Sequence, residues 1–147
     1  RSYEQDPRFG LIVLAEVASR ALSPAVNDPG TAIDVIGTAV RLFHEWSRPE
    51  EKSEHGDIEY PRVIVPPLDE RHLIEDIFTP VARDGAGLAE VGIRLQKALR
   101  AIAAMPSKDL RNAAVEQARE ARERGEKSLP HARDVARLHA AAGWIPG

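Results

Sequence analysis

The strongest constraint on the fold is the spacing of the apolar residues, which recur every three or four positions along most of the chain. This spacing places them on one face of a helix, whereas a strand would alternate every second residue. The chain has 147 residues, which is the size of one domain. We therefore predict a mainly α, bundle-like domain of five to six helices over residues 1–147.

The first predicted helix runs from Pro7 to Leu22, because Asp6 can cap it and proline suits the first helical position. Few of its positions are polar, and a helix that is apolar nearly all round belongs inside a protein. We therefore expect this helix to be the central element of the core.

The later helices are predicted from their start and stop signals. Asp28, Asp69 and Ser107 are expected as N-terminal caps. The glycines after Asp84 are expected to end the third helix. The fifth helix is rich in alanine, so we expect it to be peripheral or to pack on a partner, with Gly125 as its C-terminal cap. Ser128 and Pro130 are expected to open the last helix.

One segment has the character of a strand. Residues 63–65 are β-branched or apolar and stand between prolines, which favours an edge strand or an extended segment. We predict a short β-ribbon or extended segment near residues 58–66.

Composition excludes several classes of function. The chain has no cysteine, so thiol catalysis, disulfides and thiolate metal sites are excluded. A formal net charge of −3 gives no footprint for nucleic acid. No apolar run is long enough to cross a membrane. Because the chain begins at Arg1 without a methionine, we expect it to be a piece of a longer protein.

The segments richest in polar side chains flank the first predicted helix. Glu16 and Arg20 stand four apart and share a face of a helix expected to be buried, where charges need partners. The next turn offers polar partners, and Asp28 can also cap the second helix. The candidate ligand-binding residues are Gln5, Asp6, Glu16, Arg20, Ser23, Asn27, Asp28 and Thr31.

Other chemistry finds little support in the sequence. Phosphate loops, nucleophile elbows and His-Glu-x-x-His motifs are absent, so we assign no catalytic residue and no cofactor. His72, Glu75 and Asp76 share a helix face, but one helix rarely completes a metal site. We expect a solvated face there and no metal.

The polar segments also carry a resemblance. EQDPRFGL together with RALSPAVNDPGTA resembles the signature of a bacterial family of predicted membrane proteins, domain of unknown function family 2254. The resemblance covers roughly Arg1 to Asp34. It implies several membrane helices followed by a soluble C-terminal region, which this chain would be. No activity comes with it.

We therefore expect a non-enzymatic domain that acts in self-association or in sensing a small ligand or ion. The expected partners are a second copy of the chain and the membrane helices of the parent protein, not nucleic acid. The expected location is the bacterial plasma membrane, with the cytoplasmic side favoured. The alternative is a metal-dependent or ligand-processing enzyme that uses the carboxylates around the turn from Arg20 to Asp28.

Overall fold

A computed structural model describes residues 7–48 and 68–147 of the chain, and these form six α-helices without a strand. The mainly α prediction is confirmed. The helices are α1 (Pro7–Ala21), α2 (Pro29–Trp46), α3 (Glu70–Asp84), α4 (Ala89–Ala103), α5 (Lys108–Ser128) and α6 (Ala132–Ala142). The predicted ribbon near residues 58–66 lies outside the described residues.

Side-chain caps fix where three of the helices begin. Asp28 accepts a hydrogen bond from the Thr31 amide at 3.1 Å, and Asp69 accepts one from the Arg71 amide at 2.9 Å. Ser107 accepts one from the Leu110 amide at 3.2 Å. Each bond satisfies an amide that has no partner inside its own helix. All three predicted caps are confirmed.

Contacts between helices show that their directions alternate along the chain. Arg8 near the start of α1 pairs with Asp76 in the first half of α3, and Ser19 near the end of α1 lies beside Asp84 at the end of α3, so these two helices run parallel. Thr79 of α3 donates to Gln117 of α5 at 3.0 Å, midway along both. Short turns reverse the chain between α1 and α2, between α3 and α4, and between α4 and α5.

Five helices form a closed ring around the core. Going round it, α1 packs on α2, α2 on α4, α4 on α5, α5 on α3, and α3 on α1. Phe43 of α2 and Phe78 of α3 stack in its interior with ring centroids 6.2 Å apart. The largest fully buried aliphatic side chains come from α2, α3, α4 and α5 within the ring and from α6 outside it: Ile36, Ile74, Ile77, Leu95, Leu99, Ile102, Leu110 and Leu138.

The structure corrects the expected positions of α1 and α5. Helix α1 is one wall of the ring, and Val17 on its outer side is 44% exposed. Helix α5 was expected to be peripheral, but it packs against α3, α4 and α6. Its buried face consists largely of alanines, which let neighbouring helices approach closely. A face poor in large apolar side chains can therefore belong to the core.

The predicted end of α5 is also wrong. Gly125 lies inside α5, which continues to Ser128, and α6 begins at Ala132. A Cβ atom at Gly125 would lie 2.4 Å from Leu138 Cδ2. The glycine therefore makes room for α6 and does not end a helix.

Candidate functional site

Most backbone groups of the turn between α1 and α2 form hydrogen bonds within the turn or with the end of α1. The Asn27 amide donates to the Ser23 carbonyl at 2.8 Å, and the Asp28 amide donates to the Ala21 carbonyl at 2.8 Å. The Ser23 hydroxyl donates to the Arg20 carbonyl at 2.7 Å. These bonds satisfy the last carbonyls of α1 and hold the turn in one shape.

Asn27 adopts a left-handed backbone conformation with φ of 49°. Asparagine enters this region more readily than most residues, whereas a β-branched residue would be strained there. The left-handed step reverses the chain so that Asp28 reaches the start of α2.

The Asp28 carboxylate is held by one residue. Its Oδ1 accepts from the Thr31 amide at 3.1 Å, and its Oδ2 accepts from the Thr31 hydroxyl at 2.6 Å. Both bonds favour the charged carboxylate and lower the pKa of Asp28 below its ordinary value of 3.8. The side chain is therefore a charged cap at neutral pH.

This cap leads to a pH prediction. Because the pKa of Asp28 is lower in the folded chain, its contribution to stability is complete above the ordinary value of 3.8 and is lost as the pH falls through the folded value. We expect Asp28→Ala to unfold at a lower denaturant concentration than the wild type at pH 7. The difference between the denaturant concentrations at which the variant and the wild type unfold should narrow below about pH 4. Chemical denaturation followed by circular dichroism measures it, with Asp34→Ala as a control on the same helix. A gap that is constant with pH would contradict this role of the cap.

The structure brings together part of the predicted ligand-binding set. Ser23, Asn27, Asp28 and Thr31 share the α1–α2 turn. Gln5 and Asp6 lie outside the described residues. Helix α1 begins at Pro7 and ends at Ala21, about 21 Å away along its axis. The two segments that carry the family resemblance are therefore attached to opposite ends of one helix.

Glu16 and Arg20 were expected to be buried, and both are exposed. They lie on the outer side of α1, because its core positions are occupied by Leu11, Ala15 and Ala18. Neither forms an ion pair with another residue of the described part of the chain. The sequence predicted a site built on a buried ionic cluster. The structure instead places Glu16 and Arg20 on an open surface.

A groove of about 770 Å³ lies beside this surface, between α1 and α3, with α5 contributing one residue. Its walls combine apolar and charged side chains. Glu16, Glu75 and Glu120 line it together with Asp76, which pairs with Arg8 of α1. The lining residues are Ile12, Ala15, Glu16, Ser19, Glu75, Asp76, Thr79, Pro80, Arg83 and Glu120.

Ion pairs and hydrogen bonds already engage part of this groove. Arg83 pairs with Asp84 at 2.6 Å, and this pairing, together with the nearby Ser19 hydroxyl, lowers the pKa of Asp84. Glu120 pairs with Arg124 at 2.6 Å. Glu16 and Glu75 form no ion pair with other described residues. The groove thus holds two carboxylates that no cation of the described chain neutralises.

The helix face with His72, Glu75 and Asp76 does not converge on one point. His72 lies 3.5 Å from Asp69, whereas Asp76 faces Arg8 and Glu75 lines the groove. Across residues 7–48 and 68–147, no group of three or more potential metal ligands is arranged to hold an ion.

Sequence reasoning missed two buried glutamines. Gln117 is 3% exposed and accepts the Thr79 hydrogen bond behind the groove wall, and Gln96 is fully buried and donates to the Ala118 carbonyl at 2.9 Å. Their helical spacing matches that of core residues, which is the signal that could have identified them. They tie α3 and α4 to α5.

The fold and surface define a helical domain whose polar turn is satisfied internally and whose outer α1 surface carries Glu16 and Arg20, which form no ion pair with other residues of the described ranges. The chain belongs to a family described as "Predicted membrane protein (DUF2254)", which matches residues 1–101. The predicted resemblance is thereby confirmed. Helices α5 and α6 lie beyond the matched region.

The chain is also similar to uncharacterised proteins of Mycobacterium bovis and of two strains of Mycobacterium tuberculosis. Each match is 58% identical over 36 residues, which is 24% of this chain and 7% of the relative's length. The matched stretch is therefore a small part of those proteins. No solved structure matches the chain.

None of the six described helices is both long enough and apolar enough to span a bilayer.

Proposed function

We propose that this domain is a non-enzymatic module through which a bacterial membrane protein self-associates. The observation that carries the proposal is the location of the large apolar side chains that are exposed to solvent. Within residues 7–48 and 68–147 these are Val17, Val26, Leu42 and Trp46, which are 44–54% exposed. All four belong to α1, α2 or the turn between them. Exposed large apolar side chains that all come from one pair of neighbouring helices are compatible with an interaction surface on that pair.

Charges on the same two helices support a second copy as the partner. Glu16 and Arg20 flank Val17 on α1, and Arg41 and Glu45 flank Leu42 on α2. We call these six residues the hairpin face. It carries both signs of charge beside apolar side chains, so two copies can present opposite charges to each other across a two-fold axis.

A specific geometry follows from this spacing. In an isologous dimer, two copies of α1 that cross antiparallel at the level of residue 18 place Glu16 of each copy opposite Arg20 of the other, because residue 18 is midway between them. Val17 then lies near the axis, where it loses its exposure to water. Apolar burial at the centre with charges at the rim is the usual anatomy of a specific interface.

Sedimentation equilibrium of the 147-residue chain, from micromolar to millimolar concentration, tests this geometry. We expect the wild type to form dimers. Val17→Glu should weaken the dimer at least ~10-fold, since it buries an unpaired charge at the axis. Glu16→Arg and Arg20→Glu should each weaken it by creating like-charge contacts. The double variant Glu16→Arg with Arg20→Glu should restore dimerisation.

Ala136→Glu is the matched control, because Ala136 is exposed on α6, away from the hairpin face. It should leave the dimer unchanged. A wild type that is monomeric at the highest concentration would overturn the proposal. A double variant as weak as the single variants would overturn the antiparallel geometry.

Sensing of a small ligand or ion is the second candidate, and the α1–α3 groove favours it. Glu16 and Glu75 line the groove without a described ion-pair partner, and Ile12 and Pro80 add apolar surface. An elongated organic cation such as a diamine fits these features better than a metal ion. Calorimetric titration with putrescine tests it, and Glu75→Gln should abolish any binding while leaving the dimer intact.

The enzyme alternative gains no support from the geometry. Asp28 is engaged by Thr31, and Glu16 faces the α1–α3 groove. The family description supports placement at a membrane, and we propose the bacterial plasma membrane with contacts to the parent's membrane helices. The cytoplasmic side is a further proposal that does not come from that description.

A further inference from the structure

Helix α6 lies outside the ring of five helices. It packs on α4 and α5, which already contact each other within the ring. Ring closure therefore does not require α6. Its Leu138 and Val135 belong to a separate small apolar cluster with Ala89 and Leu129.

One large side chain anchors α6. Leu138 is fully buried, and the small Ala142 is 2% exposed. Arg133, Ala136, Arg137, His139 and Ala140 are exposed. A single buried leucine gains far less from burial than a helix with a full apolar stripe does.

The leucine enters a socket between two glycines. A Cβ at Gly125 of α5 would lie 2.4 Å from Leu138 Cδ2, and one at Gly92 of α4 would lie 3.3 Å from Leu138 Cδ1. Any side chain at position 125 therefore competes with Leu138 for the same space. The socket makes the docking of α6 depend on one residue pair.

The remaining attachments are at the surface and at the chain end. His139 lies 2.9 Å from Glu126, with both side chains partly exposed, and such pairs contribute little. Arg119 donates to the Pro146 carbonyl at 2.7 Å, while Trp144 and Ile145 pack against the main core. The Trp144 indole nitrogen is buried without a hydrogen-bond partner, which weakens this second anchor.

We infer that residues 132–145, which we call the strap, open as a unit while the ring of five helices stays folded. Segments with few buried contacts open at lower free energy than the core. Opening exposes the glycine socket between α4 and α5, so the strap controls access to an apolar surface that the closed form covers.

Hydrogen exchange measured by mass spectrometry on the full chain tests the inference. We expect strap amides to exchange at least ~10-fold faster than amides of α3 and the middle of α4. Gly125→Ala should accelerate strap exchange about tenfold further and leave α3 exchange unchanged. In a Trp46→Phe background, the fluorescence of Trp144 should shift to the red in Gly125→Ala.

Gly37→Ala is the control, because a Cβ there meets side-chain ends no closer than 3.6 Å. It should not change strap exchange. If Gly125→Ala does not fold, Leu138→Ala empties the socket instead of filling it, and the same pattern is expected. Strap and α3 amides that exchange at one common rate, or a strap unaffected by both variants, would overturn the inference.

Discussion

Replacing Phe78 with alanine is expected to lower the free energy of unfolding by about 3–5 kcal/mol. The ring is fully buried and stacks on Phe43 across the α2–α3 interface. Its removal loses the transfer free energy of the side chain and leaves a cavity that five packed helices cannot collapse to fill. Urea denaturation monitored by circular dichroism gives the value.

Lys97→Ala is the control for Phe78→Ala, because Lys97 is exposed on α4 and its loss should change stability by less than about 0.5 kcal/mol. The double variant with Phe43→Ala adds information. Stacked rings couple by about 0.5–1.5 kcal/mol, so the double loss should be smaller than the sum of the single losses. A loss below about 1 kcal/mol for Phe78→Ala would mean that the ring interior is not packed as described.

Adding one methyl group at Gly85 is expected to destabilise the chain by about 1–3 kcal/mol. A Cβ there would lie 2.5 Å from Val91 Cγ1 and 2.9 Å from the Val81 carbonyl oxygen. The carbonyl belongs to the last turn of α3 and cannot move away as a side-chain end can. The backbone at Gly85 has a φ of −95°, so lack of space, not conformation, demands glycine.

The same substitution at Gly37 should have the opposite sign. Gly37 lies inside α2, and a Cβ there meets only arginine side-chain ends at 3.6 and 3.7 Å. Alanine loses less entropy than glycine on folding, so Gly37→Ala should stabilise by about 0.4–1 kcal/mol. Thermal unfolding compares the Gly85→Ala and Gly37→Ala variants directly. Equal shifts of the melting temperature in the two variants would show that the turn after α3 is loosely packed.

The helix starts could be predicted because their cap hydrogen bonds join residues that are close in the sequence. Asp28, Asp69 and Ser107 bond to amides two or three residues further on, and such bonds depend on neighbours in the sequence. The end of α3 at Asp84 was predictable for the same reason. No distant part of the fold was needed for these boundaries.

Tertiary contacts explain the expectations that were wrong. Nothing near Gly125 in the sequence shows that Leu138 will occupy the space of its missing side chain. Likewise, Val17 looks like a core residue in a largely apolar helix, and only the packing of α1 on α2 and α3 leaves it outside. The alanines of α5 predict weak anchoring in the sequence, and they are buried because the three neighbouring helices α3, α4 and α6 approach closely.

The candidate site was predictable in part. The polar turn from Ser23 to Asp28 was identified, and its internal hydrogen bonds follow from residue types with short polar side chains. The convergence of Gln5 and Asp6 with that turn was expected from their common polarity, but the length of α1 separates the points where the two segments attach. Glu16 and Arg20, which form no ion pair with other described residues, could be identified as surface charges once the outer side of α1 was known.

The alternating helix directions have an electrostatic consequence. Helix α6 runs antiparallel to α5, because His139 pairs with Glu126 and Arg119 bonds to Pro146 further along the chain. Three helices therefore point one way and three the other, and their macrodipoles largely cancel. The long-range field of the domain is therefore set by its ionised side chains. The association rate of two copies should then depend on ionic strength through those charges alone. Salt should screen their interaction over a Debye length of about 8 Å at physiological ionic strength.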